Sequence, residues 1–177
     1  MQWHRRARTS DSGDAKPVLI CLFSGSGASA RVGEELGYTV VTVDRDARLK
    51  PTLAIDVRDL TPDMLPARID VIFASPPSGT FSTNAAQRGD RHAADAVPVR
   101  TLAKAETQAL EETLATCARN PACNFFIENP RALMRNHAAV ARLPHRTVVS
   151  LCKYGEAYSM RSTDIFHNCP KFKPQAE

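Results

Sequence analysis

Residues 18–44 read VLICLFSGSGASARVGEELGYTVVTVD, and this stretch decides the fold. It opens with an unbroken apolar run, residues 18–23, which predicts a strand buried on both faces. A loop with Gly25 and Gly27 follows, and residues 28–36 then have the composition of a helix. The stretch closes on a second, β-branched segment. It therefore predicts two parallel strands joined by a crossover helix.

The rest of the chain repeats this alternation of strands and helices. Residues 39–43 predict the second strand, which Asp44 ends. Further strands are predicted at residues 52–55, 69–74, 124–127, 147–152 and 162–167, and further helices at residues 101–119 and 132–143. Strands alternating with helices indicate the α/β class, a Rossmann-like fold with a mostly parallel central sheet and helices on both faces.

Unusual polar and glycine residues stand where the predicted strands end. The carboxyl ends of parallel strands meet at one edge of a sheet, and ligands of such sheets bind there. The residues at this edge are Ser24, Gly25, Asp44, Asp56, Ser75, Pro76, Pro77, Glu128, Asn129 and Pro130. The sequence therefore predicts a binding or catalytic site at this edge. No Cys/His cluster accompanies it, so we expect no metal.

Length and composition narrow the class of protein. The chain has 177 residues, a formal net charge of +4 and five cysteines, and its pI is near 8.9. We expect a flexible basic tail over residues 1–17, one catalytic-type domain over residues 18–168 and a short tail over residues 169–177. No apolar run approaches the roughly 18 residues that span a membrane, and the N-terminus lacks the apolar core of a signal peptide. We therefore expect an intracellular protein in a reducing compartment, not secreted and without a membrane partner.

The glycine loop predicts a nucleotide-like ligand. Gly25, Gly27 and Ala30 form a Gly-x-Gly-x-x-Ala pattern, in which glycine permits a tight turn and close approach of a ligand. The same pattern fits a dinucleotide site, and Asp44 lies where a ribose-binding acid would stand. Asp56 either accepts a hydrogen bond from the amino group of an adenine or caps a turn. A nicotinamide oxidoreductase is therefore one alternative.

Residues 74–82 read ASPPSGTFS and lead into a long aperiodic loop, residues 79–100. A loop this long inside a compact domain is usually functional or disordered. The small nucleophilic side chain of Ser78 directly follows two prolines at a strand end. The loop also carries groups that could close over phosphates, namely Arg88, Arg91, His92 and Arg100.

Four motifs in this order resemble the cytosine-5 DNA methyltransferases, in the compact form found in phages and viruses. They are LFSGSG in the opening stretch, ASPPSGTFS, FFIENP and CKYGEAYSMRSTDIF, and the resemblance spans residues 18–168. It implies S-adenosyl-L-methionine as methyl donor, S-adenosyl-L-homocysteine as product and cytosine-containing DNA as partner. The family's cofactor residues fall on Phe23, Ser24, Gly25, Gly27, Asp44, Arg45, Asp56, Val57, Ser75 and Pro76. Its substrate residues fall on Pro77, Phe81, Ser82, Asn129 and Pro130.

The resemblance also implies a covalent mechanism. In this family a cysteine thiolate adds to C6 of the base, so that C5 can attack the methyl group. The nucleophile position is that of Ser78, the carboxyl group near N3 is that of Glu128, and Arg161 supports the catalytic centre. A base then removes the C5 proton and the thiolate leaves. In duplex DNA the target nucleotide must first flip out of the stack.

The sequence departs from the family pattern at its nucleophile. A serine hydroxyl at position 78 needs a dedicated base to attack, and the motif supplies none, so we expect this form to be inactive or very slow. Either the cysteine was replaced by engineering, or the chain is a natural non-catalytic relative that binds nucleic acid. Cys152 is a conceivable substitute nucleophile, although a buried structural cysteine fits its predicted strand better.

As a second departure from the family, we expect no separate target-recognition domain. Duplex DNA, single-stranded DNA, RNA and a free cytosine nucleotide therefore all stay open as substrates, and we expect a monomer or a homodimer. An amino-group methyltransferase is a further alternative, since such enzymes carry an acid, Asn or Ser before Pro-Pro. They place an aromatic side chain after the prolines, whereas Ser78 cannot stack on a base.

Overall fold

The computed structural model describes residues 15–77, 123–136, 138–150 and 162–174. Its strands are β1 (Val18–Leu22), β2 (Thr39–Val43), β3 (Val71–Ala74), β4 (Asn124–Pro130), β5 (His145–Ser150) and β6 (Ser162–His167). They form one sheet in the order β2-β1-β3-β4-β6-β5. The first four strands pair in parallel, and β6 runs antiparallel to both β4 and β5. The predicted α/β fold with a mostly parallel sheet is confirmed.

Helix α1 (Ala28–Glu35) makes the crossover from β1 to β2, as the opening stretch predicts. It lies close to the sheet because Gly33 carries no side chain where α1 faces Leu19 and Val40. A one-turn helix, α2 (Ala138–Ala141), precedes β5. Short 3-10 turns occupy Ala47–Leu49, Val57–Asp59, Pro62–Met64 and Leu133–Asn136. No helix in the described part of the chain is long and apolar enough to cross a membrane.

The two faces of the sheet bury different clusters. The α1 face holds a small cluster of Leu19, Cys21 and Ala30. The opposite face, here the main-core face, holds the larger cluster, built mainly from Ile20, Leu22, Ile72, Ile127, Met134, Val140 and Phe166. Burying each large aliphatic or aromatic side chain stabilises the fold by about 1.5–3 kcal/mol. Because side chains alternate along a strand, β1, β2 and β3 contribute to both clusters.

The strand predicted at residues 52–55 is wrong. One isolated parallel bridge pairs Leu53 with Val43, at the free edge of β2. The Leu53 amide donates to the Thr42 carbonyl at 2.9 Å, and the Leu53 carbonyl accepts from the Asp44 amide at 3.2 Å. A longer ladder does not form because Pro51 has no amide hydrogen and the chain turns again at Asp56.

The single helix predicted at residues 132–143 is also wrong, because the chain forms a 3-10 turn followed by α2. Met134 and Val140 are both buried in the main-core cluster. The two side chains reach the core from two separate short elements.

The remaining strand boundaries differ from the predictions by a few residues. β4 runs three residues beyond the predicted end, because β6 supplies pairing partners as far as Pro130. β5 begins two residues earlier than predicted, at His145, which pairs with His167. The helix predicted at residues 101–119 lies outside the described residues.

Candidate active site

The glycine loop leaves β1 in an unusual backbone conformation. Phe23, Gly25 and Gly27 have positive φ angles of 55°, 50° and 75°. Positive φ is ordinary for glycine but strained for a bulky residue such as Phe23, and strain of this kind concentrates at functional sites. The Gly27 amide donates to the Ser24 carbonyl at 2.9 Å, which closes the turn. Gly27 is also the N-cap of α1.

Asp44 fastens this loop to the end of β2. Its Oδ2 accepts from the Gly25 amide at 2.9 Å, and its Oδ1 accepts from the Asp46 amide at 2.9 Å. A second link joins the loop to β2, since the Ser24 amide donates to the Val43 carbonyl at 3.2 Å. Each carboxylate oxygen accepts more than one hydrogen bond, so Asp44 can hold the loop and still accept from a ligand hydroxyl.

Asp56 is turned toward the protein. Its carboxylate caps the 3-10 turn by accepting from the Arg58 amide at 3.0 Å, and it pairs with the Arg58 guanidinium at 3.0 and 2.8 Å. The Arg58 hydrogen bond is the main reason that the pKa of Asp56 falls to about 2, and the Arg45 charge lowers it further. In the structure, Asp56 therefore caps a turn. The next residue, Val57, is buried.

The ends of β3 and β4 are joined by two side-chain hydrogen bonds. The last register pair of these strands is Ala74 with Ile127. One residue further, the Ser75 hydroxyl donates to Glu128 Oε2 at 2.5 Å. One residue beyond that, Asn129 Nδ2 donates to the Pro76 carbonyl at 3.0 Å.

These two bonds lie on opposite faces of the sheet. Phe73 and Ser75 share the α1 face with Glu128, because side chains alternate along each strand. Pro76 and Asn129 are buried on the main-core face. We call the two bonds together the two-sided clamp. It brings the Ser-Pro-Pro segment and the Glu-Asn segment into contact, as expected for one site built from two motifs.

Glu128 and Asn129 differ sharply in exposure. Asn129 has no exposed surface, and its Oδ1 has no hydrogen-bond partner among the described residues. Glu128 is half-buried, and its neighbour on β6 is the apolar Ile165. No cation in the described ranges forms an ion pair with Glu128. Glu128 is therefore a carboxyl group that a ligand at this edge can reach.

A buried ion pair supports β4 from behind and was not predicted. Arg135 binds the Asp164 carboxylate through Nε at 3.0 Å and through Nη2 at 2.7 and 2.6 Å. The Asp164 side chain is only 1% exposed, and its register partner on β4 is Asn129. The only sequence signal is an aspartate inside the strand-like STDIFH, a charge that a buried strand does not tolerate without a partner.

Several predicted site residues lie outside the described residues, namely Ser78, Phe81, Ser82, Arg161 and the loop groups Arg88, Arg91, His92 and Arg100. The described predicted residues fall into two groups at one sheet edge. The glycine loop and Asp44 end β1 and β2, while Ser75, Pro76, Glu128 and Asn129 end β3 and β4. Pro77 is exposed and Pro130 is half-buried beside them. No group of three metal-ligating side chains occurs among the described residues.

Comparisons with solved structures identify the fold. The methyltransferase EhMeth of Entamoeba histolytica is similar with a TM-score of 0.54 and 12% identity, over 93% of this chain and 56% of its own. An antibiotic-related methyltransferase is similar with a TM-score of 0.50 and 12% identity, over 86% of this chain and 87% of its own. This chain thus spans little more than half the length of EhMeth. No protein-family model and no curated protein matches the sequence. The chain has the Rossmann-like α/β fold of S-adenosylmethionine-dependent methyltransferases.

Proposed function

We propose that this protein is an S-adenosylmethionine-dependent methyltransferase of the cytosine-5 type, with DNA as its polymer. The two-sided clamp is the observation that carries the proposal. It joins the Ser-Pro-Pro segment to Asn129 and to Glu128, the carboxyl group that this chemistry requires. Both lie at the sheet edge that also carries the glycine loop and Asp44.

The residues around the glycine loop fit the cofactor. Apart from the chain neighbours of Gly25, a Cβ added there would meet no described atom nearer than the Phe23 carbonyl oxygen, at 4.0 Å, which leaves space for a ligand. Asp44 offers carboxylate oxygens to ribose hydroxyls. The Val57 side chain is buried in the core, so Val57 would contribute through its main chain. The cofactor site would also include Phe23, Ser24 and Gly27, with Arg45 and Asp56 at its rim. The cofactor supplies an electrophilic methyl group on a sulfonium.

The residues around the two-sided clamp would bind and activate the cytosine base. Glu128 would hold a proton against N3, which stabilises the ring when a nucleophile has added to C6. Position 78 follows the exposed Pro77, where the chain leaves the clamp. Pro130 would shape the wall of the pocket, with Arg161, Phe81 and Ser82 completing it, and the buried Asn129 would support it by holding the Pro76 carbonyl. With serine at 78 we infer that methyl transfer is absent or very slow, because a hydroxyl is a poor nucleophile without a base.

A non-catalytic relative that binds cofactor and nucleic acid is the second candidate, and Ser78 itself favours it. Activity of the Ser78→Cys variant separates the two. The variant is incubated with methyl-labelled S-adenosylmethionine and four acceptors: duplex DNA, single-stranded DNA, RNA and deoxycytidine monophosphate. We expect 5-methylcytosine in a DNA acceptor and none with Ser78→Cys/Glu128→Gln.

Each other result has a stated meaning. Absence of label in all four acceptors would contradict the catalytic proposal. The second candidate, a non-catalytic relative that binds cofactor and nucleic acid, would then remain. Label found only in RNA or only in the free nucleotide would identify that acceptor, and not DNA, as the substrate. N4-methylcytosine as product would point to an amino-group methyltransferase.

Cofactor binding is tested on the unaltered chain by titration calorimetry. We expect S-adenosylmethionine to bind and NAD not to bind. Asp44→Ala should weaken binding about tenfold to hundredfold, because a charge-assisted hydrogen bond contributes about 1.5–3 kcal/mol. Asp46→Ala is the matched control, since the Asp46 carboxylate pairs with the exposed Arg48. This variant should leave the affinity unchanged. Binding of NAD in preference would contradict the proposal.

A further inference from the structure

Ser75 stands in the cofactor set that the resemblance implies, yet its side chain serves a different partner. Its hydroxyl donates to Glu128 Oε2 at 2.5 Å, across 53 residues of sequence. Its amide donates to the Leu22 carbonyl at 3.3 Å, which continues the pairing of β3 with β1. Main chain and side chain of Ser75 are therefore both engaged within the sheet.

The surroundings of Glu128 leave Ser75 as its partner. On the other side of β4 stands Ile165, which cannot form a hydrogen bond. The four ion pairs among the described residues do not include Glu128. In the described part of the chain, the orientation of this carboxyl group therefore depends on the Ser75 hydroxyl.

The second half of the clamp fixes the backbone that carries Ser75. Asn129 Nδ2 holds the Pro76 carbonyl at 3.0 Å from the fully buried face of β4. Proline restricts the backbone further, since its φ is locked and the residue before it is held extended. Ser75 thus presents its hydroxyl from a backbone that is fixed on both sides, so the hydroxyl can hold a partner in one orientation.

We propose that Ser75 is a positioning residue that holds Glu128 through Oε2 and leaves Oε1 to face the ring of the bound base. This inference rests on the proposed function. Because Oε2 already accepts from Ser75, a proton on the carboxyl group belongs on Oε1. Oε1 is then the atom that presents this proton to N3. Loss of the hydroxyl would let the carboxyl group rotate, and a misplaced catalytic group can lose about a hundredfold in rate.

The test compares Ser75→Ala and Ser75→Thr in the Ser78→Cys background, with methyl transfer to the acceptor that this background labels. We expect Ser75→Ala to lower kcat about tenfold to hundredfold, with KM for the nucleic acid and Kd for S-adenosylmethionine unchanged within about twofold. Ser75→Thr keeps a hydroxyl and should recover most of kcat. Ser150→Ala, at the end of β5 and two strands away from β4, is the control for loss of a strand-end serine. Thermal unfolding of each variant checks that it is folded.

The outcomes separate the two levels of the argument. Unchanged kcat in Ser75→Ala overturns the positioning role while the proposed function stands. A Kd for S-adenosylmethionine raised tenfold or more in Ser75→Ala assigns Ser75 to the cofactor instead, and also overturns it. Failure of Thr to restore kcat argues against the hydroxyl as the active feature. If Ser78→Cys transfers no methyl group at all, the proposed function fails, and the role of Ser75 fails with it.

Discussion

Replacing Arg135 by methionine should destabilise the protein strongly, because it leaves the Asp164 carboxylate buried without a partner. The Asp164 side chain is 1% exposed. Among the described side chains, Arg135 is the one that donates to its carboxylate, through three hydrogen bonds. Removing one member of a buried pair costs about 3–5 kcal/mol. Because Arg135 itself is 20% exposed, we expect the lower end, about 3 kcal/mol.

The assay is urea unfolding followed by far-ultraviolet circular dichroism, with thermal unfolding beside it. For a chain of this size a loss of 1 kcal/mol lowers Tm by about 2–4 °C, so Arg135→Met should lower Tm by roughly 6–12 °C. The double variant Arg135→Met/Asp164→Leu should recover part of this loss, because apolar replacement of a whole buried pair is often neutral or stabilising.

The chain offers a matched control. Arg48 pairs with Asp46 in the same two-pronged geometry, at 2.8 and 2.7 Å, but its side chain is 89% exposed. Exposed pairs contribute little, so Arg48→Met should leave the unfolding midpoint unchanged. Equal effects of Arg135→Met and Arg48→Met, or a double variant less stable than Arg135→Met, would refute the reasoning that burial decides the magnitude.

Three further predictions concern the described core. Burial and the neighbouring charge of His145 lower the pKa of His167; the unfolded state therefore binds the proton first, and stability should fall as pH drops below about 6.5. His167→Gln should flatten this pH dependence in urea unfolding between pH 7 and 5, and an unchanged slope would contradict it. Burial raises the pKa of the Cys21 thiol to about 11, so native alkylation at pH 8 followed by peptide mapping should label Cys169 and spare Cys21 and Cys123. Rapid labelling of Cys21 would show that β1 opens locally. Gly33→Ala would place a Cβ against Leu19 and 3.1 Å from Val40 Cγ2. The cost of overpacking, reduced by the gain in helix propensity, predicts a loss of stability of up to about 2 kcal/mol. A stabilised Gly33→Ala variant would mean that Leu19 yields without cost.

Strong local signals made most of the fold predictable. The apolar run of β1 and the β-branched run of β2 lie within one residue of their predicted bounds, as does α1. β6 has the predicted bounds. These elements are set by hydrophobic pattern and by terminating residues, both of which act over a few residues. The predictions of a strand at residues 52–55 and of one continuous helix at residues 132–143 were wrong, because pairing at the sheet edge and contacts with the core determine these two segments.

The candidate site divides in the same way. The sequence placed the glycine loop, Asp44, Ser75 and Glu128 at the ends of strands, and those strand ends lie at one edge of the sheet. Side-chain direction was not predictable. Asp56 faces Arg58, Asn129 is buried against Pro76, and Ser75 faces Glu128. The roles of Ser78, Phe81, Ser82 and Arg161 stay predictions.

By itself the sequence determined the order of strands and helices, the parallel arrangement that follows from it, and the sheet edge where polar residues collect. Only the tertiary structure decided which of those polar residues meet. The bonds of Ser75 to Glu128 and of Arg135 to Asp164 join residues 53 and 29 positions apart. Such contacts depend on the register of neighbouring strands and on which face each side chain takes. A shift of one residue would move every side chain to the other face, and no local pattern fixes that choice.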